Sequence, residues 1–194
     1  MDSLQKTFAE IRLNHRGNIL RRAARVTLGS SVMRVFKKDT KKDLLDALLG
    51  VPVDDVRGIR DEATFTAWFE QQLDKIADAI LAKNPTTKNW SAIHPGYKWG
   101  HAAKILCLYL REVVECSRYF SQERVDRIRE WLFVPIDGLV IKQLKKDGQN
   151  VPFGQIKDIE RRNIFMDVQA GLGNDARNAK APRIWYDDAW LNRD

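Results

Sequence analysis

The chain has 194 residues, 44% of them apolar, which is enough to bury one hydrophobic core. Its 33 basic and 26 acidic residues give a net charge of +7, and no apolar run approaches the roughly 18 residues that a transmembrane helix requires. We therefore expect a single domain over 1–194, with lobes at 1–60 and 61–194 as the alternative. We also expect a monomer without a signal peptide or membrane contact, located in the cytoplasm and associated with the nucleoid.

Apolar residues recur at three- and four-residue spacing almost throughout, and almost no stretch alternates as a half-buried strand does. The pattern predicts an all-α fold, a compact multi-helix domain. The first predicted helix runs from about 2 to 27 with a break at Gly17, and Asp39 and Thr40 cap a short second one that ends at Gly50. A long helix over 64–83, a turn at 88–93 and a helix over 99–116 follow. Ser121 caps the next helix, Asp137 opens one that ends near Lys146, another covers 155–170 and is broken by the glycines in 171–174, and a last short helix covers 182–190.

The first 42 residues are strongly basic. They hold eleven Lys and Arg residues against Asp2, Glu10 and Asp39, so this segment carries +8 and the remainder is about neutral. Neutralising phosphates and releasing counterions supplies most sequence-independent affinity for DNA. We therefore predict a nucleic-acid interface here, with a solvated surface as the alternative. The clustered basic residues are Arg21, Arg22, Arg25, Arg34, Lys37, Lys38, Lys41 and Lys42.

The chain has two cysteines, Cys107 and Cys116. They lie nine residues apart in one predicted helix, about 13 Å at 1.5 Å per residue, so they cannot form a disulfide there. Two cysteines are too few for a four-cysteine iron–sulfur cluster, and no Cys/His spacing is typical of a zinc site. We therefore predict reduced cysteines, no metal and no cofactor.

A Pro-Gly turn precedes one of the longer predicted helices. Pro95 fixes one φ angle and Gly96 can adopt a positive φ, so the chain can turn sharply here. Backbone N–H groups of such a turn and of the following helix N-terminus can bind a phosphate, and Lys98, Gly100 and His101 lie at this end. Cations are disfavoured at a helix N-terminus unless an anion joins them, which favours a DNA phosphate. A plain connecting loop is the alternative.

Lys104 and Asp137 are the candidates for chemistry. Lys104 lies within two turns of a helix N-terminus, where the macrodipole disfavours a positive charge, and a neutral amine is a nucleophile. A helical wheel places Lys104 beside Leu108 and Arg111, so a solvated surface lysine is the alternative. Asp137 is suited to cap its helix, an ordinary role that contributes about 1 kcal/mol.

These features together resemble a known motif. The Pro-Gly turn, Lys104 with the apolar residues after it, and Val134-Pro135-Ile136-Asp137 follow the order found in helix-hairpin-helix DNA glycosylases that use a lysine. The resemblance covers about residues 92–145, and the long spacing from Lys104 to Asp137 is similar to the archaeal 8-oxoguanine glycosylase branch. This chain departs from the family in a longer turn, over 97–99, and in lacking the cysteines that bind an iron–sulfur cluster in one subgroup.

The resemblance implies an enzyme that extrudes a damaged or modified nucleotide from duplex DNA and excises its base. Lys104 would attack C1′ of the sugar and form a Schiff base, Asp137 would stabilise the developing positive charge, and β-elimination could then nick the strand. Trp99, Trp185 and Tyr186 are available to stack on the extruded base, although we favour a core position for Trp185.

Two other classes of function stay open. A helical DNA-binding protein without chemistry would use the Pro-Gly turn and the basic N-terminal segment to bind phosphates, with Lys104 adding only charge. A small interaction or inhibitor protein would bind an acidic partner through the same basic residues. Replacement of Lys104 separates these classes, because it abolishes base release only in the enzyme.

Overall fold

Helices account for all the regular secondary structure in the part of the chain that the computed structural model describes, which is Thr7 and residues 14–36, 40–81, 97–159 and 162–191. The predicted all-α fold is confirmed. None of the described helices is long and apolar enough to cross a membrane. The helices are α1 (His15–Thr27), α2 (Ser30–Met33), α3 (Thr40–Leu49), α4 (Glu62–Leu81), α5 (Tyr97–Arg111), α6 (Gln122–Arg129), α7 (Gly138–Lys146), α8 (Arg162–Asn178) and α9 (Trp185–Leu191), with tighter turns at Val53–Arg57 and Ile156–Asp158 and a wider turn at Glu112–Cys116 that continues α5.

Helices α4 and α5 pack against each other at the centre of the fold. Apolar residues on α4 recur at three- and four-residue spacing, so one face of this helix is buried. Helix α3 packs on α4, and α1 packs on both α3 and α5. Burial of each large apolar side chain contributes about 1.5–3 kcal/mol, so this face stabilises the central pair. The fully buried large side chains of α4 are Phe65, Phe69, Leu73, Ile76 and Ile80.

An aromatic cluster joins α4 to α8 and to the segment before α7. The rings of Phe69 and Phe133 meet edge to face with centroids 4.8 Å apart, and Phe165 on α8 lies 5.9 Å from Phe133. The centroid of the Phe65 ring also lies 5.8 Å from that of Phe133. Such aromatic pairs contribute about 0.5–1.5 kcal/mol beyond their burial. The segment that leads to Asp137 is therefore anchored in the core.

Several helices begin and end close to their predicted positions. Helix α4 spans Glu62–Leu81 against a predicted 64–83, and α7 follows Asp137 and ends at Lys146 as predicted. Ser121 precedes α6 as its N-cap, although its side chain makes no capping hydrogen bond. The predicted turn at 88–93 and all of residues 2–13 except Thr7 lie outside the described residues.

Two predicted helix breaks are wrong. Gly17 does not interrupt α1, which is continuous from His15 to Thr27. The glycines at 171 and 173 do not end α8, which continues to Asn178. A Cβ at position 173 would lie 3.1 Å from Nη1 of Arg183, so glycine lets α8 pack closely on this side chain. The burial of the residues around it offsets the cost of about 1 kcal/mol for each glycine.

The predicted start of α8 at residue 155 is also wrong. Ile156–Asp158 forms a separate tight turn, and α8 begins at Arg162. Side-chain hydrogen bonds at both ends of this turn stabilise it, because Gln155 and Asp158 form a reciprocal capping box. The turn therefore stands apart from the helix and packs on α5 instead.

Gly100 lets the first turns of α5 approach that tight turn. A Cβ at position 100 would lie 2.0 Å from the carbonyl oxygen of Ile156, which no other residue could accommodate without movement of the backbone. The contact fixes the beginning of α5. It thereby sets the position of His101, the next residue, and of Lys104, about one turn further along the helix.

Candidate active site

Lys104 and Asp137 are in contact although 33 residues separate them in the chain. Nζ of Lys104 donates a hydrogen bond to Oδ2 of Asp137 at 3.2 Å. Their side chains are 23% and 32% exposed, so neither is a freely solvated surface group. The amine and the carboxylate thus form an ion pair that is screened less by water than an exposed pair.

Asp137 uses its two oxygens for different contacts. Oδ1 accepts hydrogen bonds from the backbone N–H groups of Leu139 and Val140, at 2.9 and 3.1 Å, which caps α7. Oδ2 contacts Lys104. The predicted capping role is confirmed, and it leaves one oxygen in a fixed direction for the amine.

The position of Lys104 on α5 follows from the helical period. Ala102, Leu106 and Tyr109 are buried on one side of the helix, at 0% exposure each. Lys104 and Leu108 lie on the less buried side, one turn apart, as the wheel predicts. This side of α5 is therefore the one that can present an amine to a ligand.

A cavity of about 360 Å³ opens beside the ion pair, between α2, the first turns of α5 and the first turn of α7. Among the described residues, the charged ones of its lining are Arg34, Lys104 and Lys142 and the carboxylate of Asp137, so this part of the lining has an excess of positive charge. A volume of this size is within the range of small-molecule sites, about 300–1,000 Å³. Its apolar lining is Val32, Val35, Phe36, Ile105, Leu139 and Ile156.

His101 lines the same cavity, three residues before Lys104 on α5. Its side chain is buried, and its ring meets that of Phe36 edge to face with centroids 5.7 Å apart. An imidazole can both donate and accept hydrogen bonds. The structure therefore places His101 in the wall of the cavity, where sequence reasoning placed it with the phosphate-binding turn.

A second charged cluster lies two turns further along α5. The guanidinium of Arg111 forms ion pairs with Asp187 and Asp188 on α9. Burial opposes the charged form of Arg111, but the two carboxylates outweigh it and raise the pKa of Arg111 above its usual value. Burial raises the pKa of Asp187, and Arg111 opposes that change, while the charges of Asp137 and Lys104 also act on Asp187. Helix α9 is thus fixed next to the Lys104–Asp137 pair.

The contact between Lys104 and Asp137 unites the two residues predicted to be catalytic. No protein-family model, curated protein or solved structure matches this chain. The resemblance to helix-hairpin-helix glycosylases therefore stays a prediction. The function has to be inferred from the side chains of the site itself.

The residues predicted to bind DNA occupy different settings. Arg21, Arg22 and Arg25 are exposed on α1, on the face opposite the buried Ala23 and Ala24. This exposure leaves the three guanidinium groups available to a polyanion. Gly100 is buried in the contact with Ile156, whereas Pro95, Gly96, Lys37, Lys38 and the side chain of Lys98 lie outside the described residues.

The predicted stacking residues also differ from one another. Trp99 is partly buried, and the guanidinium of Arg162 lies over its ring, 5.5 Å from the centroid. Tyr186 is partly buried and packs against the core. Trp185 is 47% exposed at the beginning of α9, so the core position that the sequence favoured for it is wrong. Its exposed ring stays available to a ligand.

Sequence reasoning missed three residues that organise the site, namely Arg111, Gln169 and Arg183. Gln169 carried a usable signal, because it interrupts the apolar stripe of α8 four residues after Phe165. A polar residue in such a stripe needs a buried hydrogen-bond partner. Arg111 and Arg183 carried no such signal, since an arginine in sequence does not reveal whether it is buried.

Proposed function

We propose that this protein is a DNA glycosylase with AP-lyase activity, which removes a damaged or modified base from duplex DNA. The observation that supports it is the 3.2 Å contact between Lys104 and Asp137 beside a positively charged cavity. A lysine amine is a nucleophile once neutral, and an adjacent carboxylate can accept its proton and stabilise positive charge. Base excision by a lysine enzyme requires these two roles.

In the proposed reaction, Nζ of Lys104 transfers a proton to Asp137 and attacks C1′ of an extruded nucleotide. The bond between C1′ and the base breaks, and the base leaves with the bonding electrons and takes up a proton. Opening of the sugar ring gives an imine between Nζ and C1′. Loss of a proton from C2′ then expels the 3′ phosphate and nicks the strand. Asp137 passes the proton of Lys104 to the departing base, and its carboxylate, charged again, then stabilises the positive charge that develops where Nζ joins C1′.

The charge of the cavity supports a nucleotide as ligand. Arg34 and Lys142 are exposed residues of the lining of the cavity that the Lys104–Asp137 pair borders. Phosphates that flank the extruded nucleotide would carry the complementary charge. The apolar lining, which includes Phe36 and Ile105, suits the faces of a base.

Exposed apolar side chains surround the same opening. Val35 and Leu139 both line the cavity and are 39% and 62% exposed. Apolar side chains that enter a duplex unstack its bases, which is what extrusion of a nucleotide requires. We infer that this rim faces the opened base pair.

The exposed arginines of α1 would hold the DNA backbone. Arg21, Arg22 and Arg25 lie on one exposed face, and such residues add affinity for phosphates without sequence preference. Affinity for DNA would place the protein at the nucleoid.

A helical DNA-binding protein without chemistry is the second candidate. The exposed face of α1 favours it, because these arginines need no cavity to bind phosphates. This candidate gives no role to the contact between Lys104 and Asp137. It therefore predicts that loss of Lys104 weakens binding only slightly and changes no covalent bond.

Borohydride trapping on duplexes with an abasic site or a modified base tests the proposal. Reduction of the imine would join the protein covalently to DNA. The wild-type protein should form this adduct, and Lys104→Gln should not. Lys142→Gln is a matched control, since it removes the same charge from the lining of the same cavity and leaves the nucleophile in place; it should still form the adduct.

Failure of the wild-type protein to form an adduct with any abasic duplex would remove the lyase mechanism. If the modified bases also stayed intact, the binding protein without chemistry would be the better account. If Lys104→Gln still formed the adduct, another amine of the protein would have to be the nucleophile.

A further inference from the structure

The segment between α6 and α7 leads to Asp137 and is neither helix nor strand. Leu132, Val134 and Ile136 in this segment are buried, at 1%, 0% and 1% exposure. Buried backbone N–H and C=O groups need hydrogen-bond partners, and this segment has no helix or strand pattern to supply them. Backbone carbonyls of α6 accept from the N–H of Leu132, and side chains from other elements provide further partners along the segment.

Gln169 on α8 provides two of these hydrogen bonds. Its Oε1 accepts from the N–H of Val134 at 3.0 Å, and its Nε2 donates to the C=O of Val134 at 2.8 Å. The side chain is 1% exposed, on the buried face of α8 between Phe165 and Leu172. The amide thus takes the place of a neighbouring strand.

Arg183 provides further hydrogen bonds to the same segment. Its Nε donates to the C=O of Leu132 at 3.2 Å, and its Nη2 donates to that of Trp131 at 2.8 Å. Its Nη1 donates to the backbone C=O of Gln169 at 3.1 Å, so the two side chains belong to one network. Glu62 lies 3.0 Å from Nη2 and compensates the buried charge.

This network is more polar than core packing requires. A buried amide or guanidinium is unfavourable unless its polar atoms are paired, whereas an apolar side chain of similar size would fill the same space without that condition. The hydrogen bonds end at Val134, three residues before Asp137. On the other side, Leu139 and Val140 hold Oδ1 of Asp137. The backbone on both sides of Asp137 is therefore fixed, before it by the hydrogen bonds at Val134 and after it by those of Leu139 and Val140.

From this arrangement we propose that Gln169 is a positioning residue, which holds the segment before α7 so that Oδ2 of Asp137 meets Nζ of Lys104. The catalytic consequence rests on the proposed function, whereas the positioning does not. Misplacement of a reacting group by about 1 Å can slow a reaction about a hundredfold. Loss of the amide should therefore slow imine formation on the order of tenfold to a hundredfold, with DNA affinity unchanged.

The test compares Gln169→Met with Gln72→Met. Gln72 is a matched control because it is also buried, at 2% exposure, and its amide contacts Trp68 and Lys75 on its own helix. Both variants lose a buried amide, and both should lower Tm. Only Gln169→Met should slow borohydride trapping on an abasic duplex at saturating DNA, with an unchanged Kd.

A shorter amide covers the case in which Gln169→Met does not fold. Gln169→Asn keeps the polar group but is one methylene too short to reach both backbone groups of Val134 in the observed geometry. Its trapping rate should be lower than that of the wild type, and higher than that of Gln169→Met if the latter folds. A wild-type rate in both folded variants, or an equal loss in Gln72→Met, overturns the inference.

Chemical labelling separates this inference from the proposed function. Contact with Asp137 should protect Nζ of Lys104 from reductive methylation, which mass spectrometry follows at each lysine of the folded protein. Labelling of Lys104 should be faster in Gln169→Met and in Asp137→Asn, and unchanged in Gln72→Met. If the wild type forms no adduct but this pattern holds, the glycosylase proposal fails and the positioning role stands. Unchanged labelling of Lys104 in folded Gln169 variants overturns the role.

Discussion

Two cations on the same helix, Lys104 and Arg111, both form ion pairs but differ in the chemistry open to them. Lys104 and Arg111 lie two turns apart on α5, and their side chains are 23% and 22% exposed. Arg111 engages two carboxylates, those of Asp187 and Asp188, whereas Lys104 contacts one oxygen of Asp137. Exposure therefore does not distinguish the two pairs.

The chemistry of the two cations does distinguish them. A guanidinium stays protonated and presents its donors in a fixed fork, so the Arg111 cluster is suited to hold α9 in place. An amine can lose its proton and become a nucleophile. Lys104 also borders the cavity near α2 and α7, beside His101. One face of α5 thus carries a structural pair and a pair suited to chemistry, and substitutions should separate them.

Exchange of each cation for glutamine should give the largest contrast. Lys104→Gln should abolish the borohydride adduct and slow base release roughly 10⁴-fold or more, because the nucleophile is gone. Arg111→Gln should retain the adduct but lower the free energy of unfolding by about 1–3 kcal/mol, since two carboxylates lose their partner. Trapping gels and urea unfolding measure these effects. Loss of the adduct in Arg111→Gln but not in Lys104→Gln would contradict the assignment of Lys104 as the nucleophile and Arg111 as a structural residue.

Replacement of the carboxylate partner should give the next largest effect. Asp137→Asn keeps the cap of α7, because asparagine is an equally good N-cap, but removes the charge opposite Lys104. We expect single-turnover base release to fall on the order of 10²–10³-fold with little change in Tm. Asp137→Ala should lose about 1 kcal/mol of stability in addition. Equal activity in Asp137→Asn and wild type would contradict a catalytic carboxylate.

The close contact at the beginning of α5, which positions the helix that carries Lys104 and Arg111, should be sensitive to one added methyl group. Gly100→Ala places a Cβ 2.0 Å from the carbonyl oxygen of Ile156 and should lower the free energy of unfolding by about 2–3 kcal/mol. Gly171→Ala is the control, since a Cβ there meets nothing within 4 Å, and it should stabilise α8 by about 0.5–1 kcal/mol. Urea unfolding of both variants is the measurement, and equal stabilities would show that the close approach is not tight.

Truncation of the cavity rim should have a smaller effect that depends on the substrate. Leu139→Ala should slow base release about tenfold from a paired base, because the apolar side chain that replaces base stacking is removed. The same variant should act at the wild-type rate on a base that is already unpaired in a bulge. Val26→Ala, at a comparably exposed residue outside this cavity, is the control. An equal reduction on both substrates would remove Leu139 from duplex opening.

Neutralisation of α1 should have the smallest effect at low salt. The triple replacement of Arg21, Arg22 and Arg25 by glutamine should weaken duplex binding without changing the trapping rate at saturating DNA. The slope of log K against log salt should fall by up to about 0.9 for each phosphate that the variant no longer neutralises. Fluorescence anisotropy at several salt concentrations measures it, and an unchanged slope would exclude these arginines from the interface.

The sequence predicted the local parts of this site well. The periodicity of apolar residues indicated an all-α fold, and Asp137 before an apolar run indicated the N-cap of α7, which its contacts with Leu139 and Val140 bear out. The wheel placed Lys104 on the less buried side of α5. These features depend on neighbours within a few residues, so the pattern of side chains is enough to specify them.

The glycines show where the local pattern was insufficient. Gly173 is typical of a helix end, yet α8 continues through it to Asn178, and the side chain of Arg183 packs closely against this position. Gly100 is required by the carbonyl of Ile156, which is 56 residues away in the chain. In each case a distant group decides what the residue does, and no local pattern contains it.

The sequence alone determined that this protein is helical, that Lys104 lies on the less buried side of its helix, that Asp137 caps α7, and that the N-terminal segment is basic. Only the tertiary structure decided that Lys104 and Asp137 meet at 3.2 Å, that Arg111 binds α9, and that Gln169 holds Val134. Helical elements follow from interactions between residues three and four apart. Contacts between distant residues depend on how all the buried faces pack together, which the spacing along one helix does not specify.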